Sequence, residues 1–501
     1  MFFRQIVEPN LAQYAYLIGC QKTGTAILFD PLRDVDRYIE LAAREKLKIV
    51  AVAETHIHAD FLSGAREIAA RLGARVYVSA EGGAHWQSKW VGEYDHVLLH
   101  DAAEITIGGI LIRAMHTPGH TPEHMSYLIT DRGAGGEMSM GLISGDFVFV
   151  GDLGRPDLLE TAAGVVGVAE PSARALFASA QRFAKMPAYL QVWPGHGAGS
   201  ACGKALGAVP QSTVGYELAS SAVLQLLSSE KAFIADILSG QPEPPLYFAR
   251  MKVTNRDGVA LLGEIPKPEI ITDVREHVAA WEEPRTVVVD TRAWSEFRDG
   301  HLPGSLYAPL GKMFAMVVGS YVKPQSRIVL VCEPAGSDEV IRQLVRIGYD
   351  DIIAVVAPSA IAPAPKLEAT PEVSVQDAAK ELGESFILDV RGSSEHAQGA
   401  INGSLNVPYT RLTTKLAQLP REKKILVHCA LGGRSACATA MLRRLGFDAS
   451  NIAGGFEAWE KAQLPTQLST QLPAQLPTAV PTVVSTVVST VVSPIAGSSC
   501  A

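Results

Sequence analysis

The sequence predicts an α/β protein of about three domains. The chain has 501 residues, and at roughly 150 residues per domain this length favours several cores over one. Two short apolar runs, at 13–19 and 25–30, are typical of strands. The apolar residues of the segment that begins at Asp34 recur at helical spacing and predict a helix, and the apolar run at 48–54 predicts a buried strand after it. Two later segments, 286–340 and 386–437, resemble each other in order and composition and indicate a duplicated module.

The composition is that of a globular chain whose partners are small molecules. Hydrophobic residues make up 47% of the chain and charged residues 19%, which is enough to bury cores and excludes an intrinsically disordered protein. The 44 Lys and Arg residues are outnumbered by 52 Asp and Glu residues, giving a net charge of -8. This balance argues against a nucleic-acid partner, since affinity for nucleic acid depends on neutralising phosphates.

The cysteines and the N-terminus favour a reducing, cytoplasmic location. Six cysteines, at positions 20, 202, 332, 429, 437 and 500, are too few and too scattered for a disulfide framework. The first residues lack the basic segment, apolar segment and small-residue cleavage site of a signal peptide. No stretch is apolar and long enough to span a bilayer, so no membrane partner is expected.

The chain divides into four predicted regions. Residues 1–262 are predicted to form the first domain. The segment at 205–262 has helical and mixed patterns but no cluster of catalytic residues of its own, so we assign it to the end of this domain. The two similar modules occupy 263–362 and 366–468, joined through a Pro/Ala-rich stretch at 357–369 that suits a linker. The uncharged repeats at 469–501 predict a disordered low-complexity tail, and their regular Ser and Thr residues disfavour a membrane anchor.

Ligand-type residues cluster in four segments of the first domain, at turns that follow apolar runs. Loops at strand ends can converge on one ion, so these segments predict a metal site. The candidates are His56, His58 and Asp60 in THIHAD, His116 and His120 in HTPGH, Asp146 in SGD, and His196 in PGH.

This order of motifs resembles the metallo-β-lactamase superfamily over roughly residues 1–250. The resemblance implies an αββα sandwich for the first domain, followed by two smaller α/β domains. In the two-metal hydrolases of that superfamily a third histidine directly follows the aspartate of the first motif and helps hold a second ion, whereas this chain has Phe61. A phenyl ring cannot ligate, so a mononuclear centre is the favoured interpretation.

The segments GDLGRPDL and GHGAGSACGKALG further resemble the persulfide dioxygenases, a branch of the superfamily that oxidises thiol persulfides to sulfite. Two histidines and one carboxylate are the arrangement suited to Fe(II) and dioxygen, although such ligands also accept zinc. The resemblance implies one Fe(II) per chain. Its ligands would be His56, His120 and Asp146, with His58, Asp60 and His196 orienting ligands or water.

Two further residues lie in these segments. Arg155 corresponds to a position where relatives place an arginine near a glutathione carboxylate, a task suited to a bidentate guanidinium. A structural salt bridge with Asp157 is the equally supported alternative. Cys202 lies in a glycine-rich turn, and we expect it to pack near the site rather than act as a nucleophile.

Cys429 is the predicted reactive thiol of the last module. An apolar strand delivers it into the loop CALGGRS, immediately before a helix. Backbone N–H groups of a glycine-containing loop and the positive end of a helix both favour a thiolate, and can hold a persulfide. Arg434 adds a fixed positive charge at the end of this loop.

The pattern around Cys429 resembles the rhodanese sulfurtransferases over about residues 369–468. The resemblance implies that Cys429 carries sulfane sulfur, with Arg434 as its cationic neighbour, and that a buried ion pair of Asp389 and Arg391 stabilises the module. In the middle module Cys332 precedes Glu333 and a proline, and Ser337 replaces the arginine. A proline offers no N–H and an acidic neighbour disfavours a thiolate, so this copy is predicted to be degenerate and interface-forming.

The two predicted sites share a persulfide, and their fusion raises the local concentration of the common intermediate. We therefore predict oxidation of a glutathione or coenzyme A persulfide with O₂ to sulfite, coupled to sulfur transfer between persulfide, sulfite and thiosulfate through Cys429. The carrier thiol, the direction of transfer and assembly of identical subunits are left open. A zinc hydrolase of thioesters with attached rhodanese modules, and a non-catalytic persulfide carrier, are the alternatives.

Overall fold

The computed structural model describes residues 1–161 and 166–467, so the predicted tail at 469–501 lies outside the described residues. The first domain contains two six-stranded sheets. Their strands are β1 Phe2–Glu8, β2 Gln13–Cys20, β3 Thr25–Phe29, β4 Lys48–Ala53, β5 Arg75–Ser79, β6 His96–Leu99, β7 Glu104–Ile107, β8 Ile110–His116, β9 Met125–Asp131, β10 Gly141–Gly145, β11 Gln191–Pro194 and β12 Ser212–Thr213. The helices are α1 Asp36–Arg44, α2 Ala65–Leu72, α3 Leu158–Thr161, α4 Ala169–Phe183, α5 Val214–Ser220, α6 Glu230–Leu238 and α7 Tyr247–Asp257.

These elements form four layers, as the resemblance implied. One sheet has the order β1-β2-β3-β4-β5-β6 and the other the order β12-β11-β10-β9-β8-β7. Inward-facing side chains of both sheets, such as Phe29 and Tyr127, share one core. Helices α1 and α2 cover the outer face of the first sheet, and α4, α5 and α6 cover that of the second. Polar loops at the strand ends then meet between the sheets at one edge of the sandwich.

The rest of the described chain forms two parallel sheets with helices on both faces. The middle module contains β13 Glu269–Ile271, α8 Val278–Trp281, β14 Thr286–Asp290, α9 Trp294–Asp299, β15 Leu306–Tyr307, α10 Lys312–Tyr321, β16 Arg327–Val331, α11 Ser337–Arg346 and β17 Ile352–Val356. The last module contains β18 Glu372–Val373, α12 Val375–Lys380, β19 Phe386–Asp389, α13 Ser393–Gln398, β20 Ala400–Ile401, β21 Leu405–Asn406, β22 Ile425–His428, α14 Gly433–Arg444, β23 Ala449–Ile452, α15 Gly455–Lys461 and β24 Thr466–Gln467.

The two modules have equivalent sheets, which is the structural form of the duplication. The strand orders are β13-β17-β16-β14-β15 and β18-β23-β22-β19-β21, and every pairing within both sheets is parallel. A large core joins the facing sides of both modules and also contains Tyr247 and Met251 of α7. The segment assigned from sequence to the end of the first domain therefore also packs into the core of its neighbours.

The middle module is attached to the first domain through buried charges. The Arg346 side chain, only 1% exposed, bonds both oxygens of Asp34 at 3.0 and 2.7 Å and Glu8 at 3.1 Å. In the opposite direction, Arg33 of the first domain donates a hydrogen bond to Asp350 of the middle module at 2.6 Å. Buried charges are tolerated where they are paired in this way, so the interface has a single register.

No helix in the described ranges combines the length and apolar character that crossing a membrane requires.

Candidate metal centre and candidate sulfur-transfer site

Three of the predicted ligands come together at one edge of the sandwich. His56 follows β4, His120 lies in the loop between β8 and β9, and Asp146 directly follows β10. The Oδ2 atom of Asp146 lies 4.0 Å from Nε2 of His56 and 3.6 Å from Nε2 of His120. All three side chains are buried, and one donor atom of each lies within 4.8 Å of the others. An ion fits among donors at this spacing.

Neighbouring hydrogen bonds point the histidine lone pairs at this space. His120 donates from Nδ1 to the carbonyl of Arg155 at 3.0 Å, which leaves Nε2 without its proton. Nδ1 of His56 lies 3.0 Å from the Thr55 hydroxyl, which itself donates to Asp30. Burial lowers the pKa of both imidazoles well below the usual value, so both are neutral and able to bind a metal.

The Asp146 carboxylate is a buried acceptor without a hydrogen-bond donor. Both of its oxygens lack a hydrogen-bond partner among the residues described. Burial raises its pKa to about 6, because the charged form has lost its hydration. Unpaired buried carboxylates are costly, and two imidazoles with one carboxylate are a donor set that divalent iron or zinc accepts. The residues present therefore fit a metal ion.

The other predicted metal-site residues divide between two places. His196 Nε2 lies 3.4 Å from Oδ2 of Asp60 and 3.5 Å from Oδ1 of Asp146, so these residues adjoin the first cluster. His58 instead contacts Asp30 through Nε2 at 3.2 Å. Burial alone would lower the pKa of His58, but the charge of Asp30 and the bond to it raise that pKa to about 9. His116 lies outside both places, and its Nε2 meets the carbonyl of Pro122.

Cys202 packs beside the metal centre, where the sequence analysis expected it. It forms a compact group with Asp60 and His196, with donor atoms within 4.8 Å of one another and all three side chains buried. Burial and the nearby carboxylates raise the pKa of its thiol well above the usual value. In the metal-free chain this cysteine is therefore a protonated thiol.

The loop that carries His56 to Phe61 is fastened from two sides. The side-chain amide of Asn255, on α7, donates to the carbonyls of His58 and Phe61 at 2.8 and 2.7 Å and accepts from the N–H of Ser63 at 2.9 Å. The N–H of Leu62 donates to the carbonyl of Arg346 in the middle module. The conformation of this loop thus depends on residues that are distant in sequence. The sequence analysis did not identify Asn255, because it belongs to no motif.

Arg155 lies behind the metal centre with its guanidinium engaged. It donates to both oxygens of Asp157 at 2.8 and 2.6 Å and to the carbonyls of Ala201 and Pro242 at 3.2 and 2.6 Å. The side chain is 1% exposed. The salt bridge with Asp157 that the sequence offered as one alternative is therefore formed, and the other guanidinium contacts join this segment to the loops that contain Ala201 and Pro242.

Lys252 and His124 are two neighbours of the centre that the sequence analysis missed. The Lys252 ammonium lies 4.3 Å from the centre of the Trp86 ring and has no ion pair within the described residues. Burial lowers its pKa to about 8, and its charge contributes to the low pKa values of His56 and His120. Nε2 of His124 accepts the N–H of Asp146 at 3.0 Å. Only the HxxxH spacing after His120 signalled His124.

Cys429 lies at the end of β22, in the loop that leads into α14. Its Sγ accepts hydrogen bonds from the N–H of Gly432 at 3.1 Å and the hydroxyl of Ser435 at 3.4 Å. Gly432 has a φ of 100°, a left-handed conformation that favours glycine. The loop thus turns N–H and O–H donors toward the sulfur, at the N-terminus of a 12-residue helix. These groups are donors from which a sulfur atom bearing negative charge, such as a bound persulfide, can accept hydrogen bonds.

Arg434 is held by a carboxylate beside this loop. Its guanidinium donates to both oxygens of Glu395 at 2.6 and 2.7 Å, while Glu395 also accepts the N–H of Gly392. The predicted ion pair of Asp389 and Arg391 is present and buried, with a closest approach of 2.6 Å. Arg434 is thus poised near the thiol in a fixed orientation, whereas the Arg391 pair supports the scaffold.

The two remaining cysteines of the modules are buried in unfavourable places for a thiolate. Burial, together with Glu333 and Asp290, raises the pKa of Cys332 to about 11. Burial likewise raises the pKa of Cys437, on α14. The middle module therefore presents its cysteine in an environment unlike that of Cys429, which agrees with the loss of the glycine-rich loop seen in its sequence.

Comparison with known families assigns each part of the chain. Residues 9–196 match the metallo-beta-lactamase superfamily, and residues 273–358 and 374–462 each match the rhodanese-like domain. The crystal structure of a metallo-beta-lactamase from Staphylococcus aureus subsp. aureus COL is 39% identical, with a TM-score of 0.64. That alignment covers 71% of this chain and 99% of the other. The similarity thus extends beyond the two β-sheets of the first domain.

Two named relatives align with the first domain. The probable polyketide biosynthesis zinc-dependent hydrolase BaeB of Bacillus velezensis is 26% identical over 208 residues, covering 41% of this chain and 83% of that protein. The mitochondrial persulfide dioxygenase ETHE1 of Bos taurus is 29% identical over 159 residues, covering 31% of this chain and 56% of that protein. The chain thus spans about half the length of the dioxygenase, and its relatives include both hydrolases and dioxygenases.

Proposed function

Since the chain belongs to the metallo-beta-lactamase superfamily and carries two rhodanese-like domains, we propose that its first domain is an Fe(II)-dependent persulfide dioxygenase. The substrate is the persulfide of a low-molecular-weight thiol, glutathione or coenzyme A. One persulfide, one O₂ and one water give one thiol, one sulfite and two protons. The free state of all five cysteines in the described chain suits a reducing, cytoplasmic compartment.

The donor set of His56, His120 and Asp146 is the observation that carries this proposal. Two imidazoles and one carboxylate on one side of an ion leave open coordination positions for the persulfide substrate and dioxygen. When bound, Fe(II) would supply the activation of dioxygen. Phe61 supports a single iron, since its ring lies against His58 with centroids 4.3 Å apart and offers no ligand atom.

The remaining residues orient these ligands and receive the substrate. The Thr55 hydroxyl and the Arg155 carbonyl fix the two imidazoles, and His124 holds the backbone of Asp146. Lys252 brings a positive charge to the centre from α7, and we assign it the attraction of the anionic persulfide. Persulfides are more acidic than thiols and carry this charge at neutral pH.

We further propose that Cys429 transfers sulfane sulfur in the last module. In one direction its thiolate attacks the outer sulfur of thiosulfate, forming an S–S bond while sulfite leaves with the bonding electron pair. In the reverse direction sulfite takes the outer sulfur from the Cys429 persulfide. The loop donors around Sγ stabilise the anionic sulfur in both directions, and Arg434 lies beside them.

The second candidate is a zinc-dependent hydrolase of a thioester with rhodanese modules attached. The grouping of Asp60, His196 and Cys202 near the first cluster favours it, because it offers donors for a second ion. Its similarity to a zinc-dependent hydrolase points the same way. Phe61 opposes it, as does the presence of two rhodanese-like modules, which a thioester hydrolase does not require.

The test is metal content of anaerobically purified protein, followed by O₂ uptake by the Fe(II)-loaded form with glutathione or coenzyme A persulfide. We expect about one iron per chain and persulfide-dependent uptake with sulfite formation. Cleavage of S-lactoylglutathione without O₂ uptake would establish the hydrolase instead. The matched variant is Cys429→Ser, which should retain O₂ uptake; loss of uptake in this variant, if folded, would favour the persulfide-carrier alternative.

A further inference from the structure

We propose that Glu243, a residue of the first domain, is a positioning residue for sulfur transfer in the last module. Glu243 lies in the segment between α6 and α7. Its Oε1 accepts the N–H of Ser393, the first residue of α13, at 2.9 Å. This inference rests on the sulfur transfer proposed for Cys429, and it names a residue of another domain on which that transfer depends.

The backbone around Glu243 is stiff and is fixed to the first domain. Pro242 precedes Glu243, and Pro244 and Pro245 follow it. Each proline ring fixes its own φ, and a residue before a proline is restricted to extended conformations. The carbonyl of Pro242 accepts a hydrogen bond from the buried guanidinium of Arg155 at 2.6 Å. The segment 242–245 is therefore a rigid support that holds the Glu243 carboxylate against the last module.

The carboxylate of Glu243 meets the residues that orient the arginine beside Cys429. A Cβ atom at Gly392 would lie 3.2 Å from Oε2 of Glu243 and 3.4 Å from Oε2 of Glu395, so carboxylates from two domains converge on this glycine. Glu395 accepts the N–H of Gly392 at 3.0 Å and binds the guanidinium of Arg434. A displacement of the start of α13 therefore displaces the carboxylate that orients Arg434.

Helix α13 depends on such contacts for its position. It has six residues, Ser393–Gln398, and none of these side chains is fully buried. A helix this short is not stable by itself and is held by its tertiary contacts. A second contact crosses the same boundary, because Arg411 of the last module donates to the carbonyl of Thr161 in α3 at 3.1 Å. The alternative is that Glu243 only helps to dock the two domains and has no influence on Arg434.

Glu243→Met and Glu243→Gln of the full-length protein separate these possibilities. Both remove the charge at nearly constant size, but only the Gln side chain keeps an oxygen that can accept the Ser393 N–H. We expect kcat/KM for thiosulfate to fall about ten-fold in Glu243→Met, through a raised KM at unchanged kcat, because a misplaced guanidinium binds the oxyanion less well. Glu243→Gln should restore the KM. Glu264→Met, at an exposed carboxylate, is the control, and O₂ uptake should be unchanged in all three variants.

Ser393→Pro removes the same hydrogen bond from the side of the donor. Proline is well tolerated at the first position of a helix, and the ψ of 153° at Gly392 suits a residue that precedes proline. We expect the raised KM of Glu243→Met in this variant. Combining the two substitutions should raise the KM no further, because both remove one contact.

Three results would overturn the positioning role. They are an unchanged KM in Glu243→Met and Ser393→Pro, an equal loss in Glu243→Met and Glu243→Gln, and a lowered kcat at unchanged KM, which indicates loss of folded protein. Absence of sulfur transfer in the unaltered protein would instead overturn the function proposed for Cys429, and this inference with it. The two kinds of failure are therefore distinguishable.

Discussion

Glu395 binds both terminal nitrogens of Arg434, at 2.6 and 2.7 Å, beside the Cys429 loop. A bidentate carboxylate fixes the plane of a guanidinium as well as its position. Glu395 is itself fixed by the N–H of Gly392. The orientation of Arg434 is therefore set in advance of any ligand that binds at this loop.

Arg434→Gln should lower sulfur transfer from thiosulfate by about ten- to a hundred-fold, because a hydrogen bond to a charged group is lost next to Cys429. The measurement is steady-state sulfurtransferase activity together with O₂ uptake, which should not change. Lys423→Gln removes the same charge from an exposed site of the same module and is the control. Equal activity of the two variants would exclude a role for Arg434.

Asp146→Asn should reduce the iron content from about one per chain to a small fraction, since it replaces the anionic ligand at constant size. Metal analysis after anaerobic reconstitution measures this. Asp257→Asn, which alters an exposed carboxylate paired with Arg256, should keep full iron content. Retention of iron by Asp146→Asn would remove this carboxylate from the ligand set.

Asn255→Ala should weaken iron binding by about ten-fold, although Asn255 is not itself a ligand. The substitution removes three hydrogen bonds that hold the loop from His58 to Ser63, and outer residues of this kind typically affect metal affinity to that degree. Competition with a chelator gives the affinity. Unchanged affinity in the variant would show that α7 and the middle module hold the loop without the amide.

The thiol of Cys332 should alkylate slowly at pH 8 and faster as the pH rises toward 11. Burial and the neighbouring acidic groups raise its pKa to about 11, so at pH 8 only about one molecule in a thousand carries the reactive thiolate. Mass spectrometry of iodoacetamide-treated protein follows each cysteine separately. Cys332→Ser should leave sulfur transfer unchanged; a loss of transfer would reassign activity to the middle module.

Arg346→Met should destabilise the contact between the first domain and the middle module by about 3 kcal/mol, because Glu8 loses its buried cation and Asp34 keeps, among the described residues, only the more distant Arg342 and Arg37. The urea midpoint of the earliest unfolding transition measures the loss. Arg327→Met removes a pair with Glu283 that is largely exposed and should cost about 1 kcal/mol or less. Identical midpoints for both variants would contradict the interface described.

The order of motifs, through its resemblance to the metallo-β-lactamase superfamily, predicted the architecture and the grouping of His56, His120 and Asp146. These residues follow strands, and the ends of neighbouring strands meet at a common edge, so sequence order translated into proximity. The duplicated modules were predictable for the same reason, because strand, loop and helix recur in a fixed order. The ring orientations were not predictable, since they depend on acceptors such as the Arg155 carbonyl.

The residues that the sequence did not reveal lie on elements whose paths are set by tertiary packing. Asn255 and Lys252 lie on α7, where neither belongs to a motif and only the docking of the helix brings them to the metal loop. Cys202 was expected near the site, but it lies in a glycine-rich turn whose course is not encoded by periodicity. Its closeness to Asp60 and His196 therefore emerged only with the folded chain.

The buried charges around Arg346 have a consequence for how this chain evolves. A duplicated copy that no longer performs chemistry is usually free to accumulate substitutions until it is deleted. Here deletion would remove Arg346 from Asp34 and Glu8 of the neighbouring domain, would leave Asp34 with only Arg37, at 4.0 Å, among the described residues, and would release Leu62 from its backbone acceptor. Purifying selection is therefore expected to act on the docking helix of the middle module more strongly than on its cysteine.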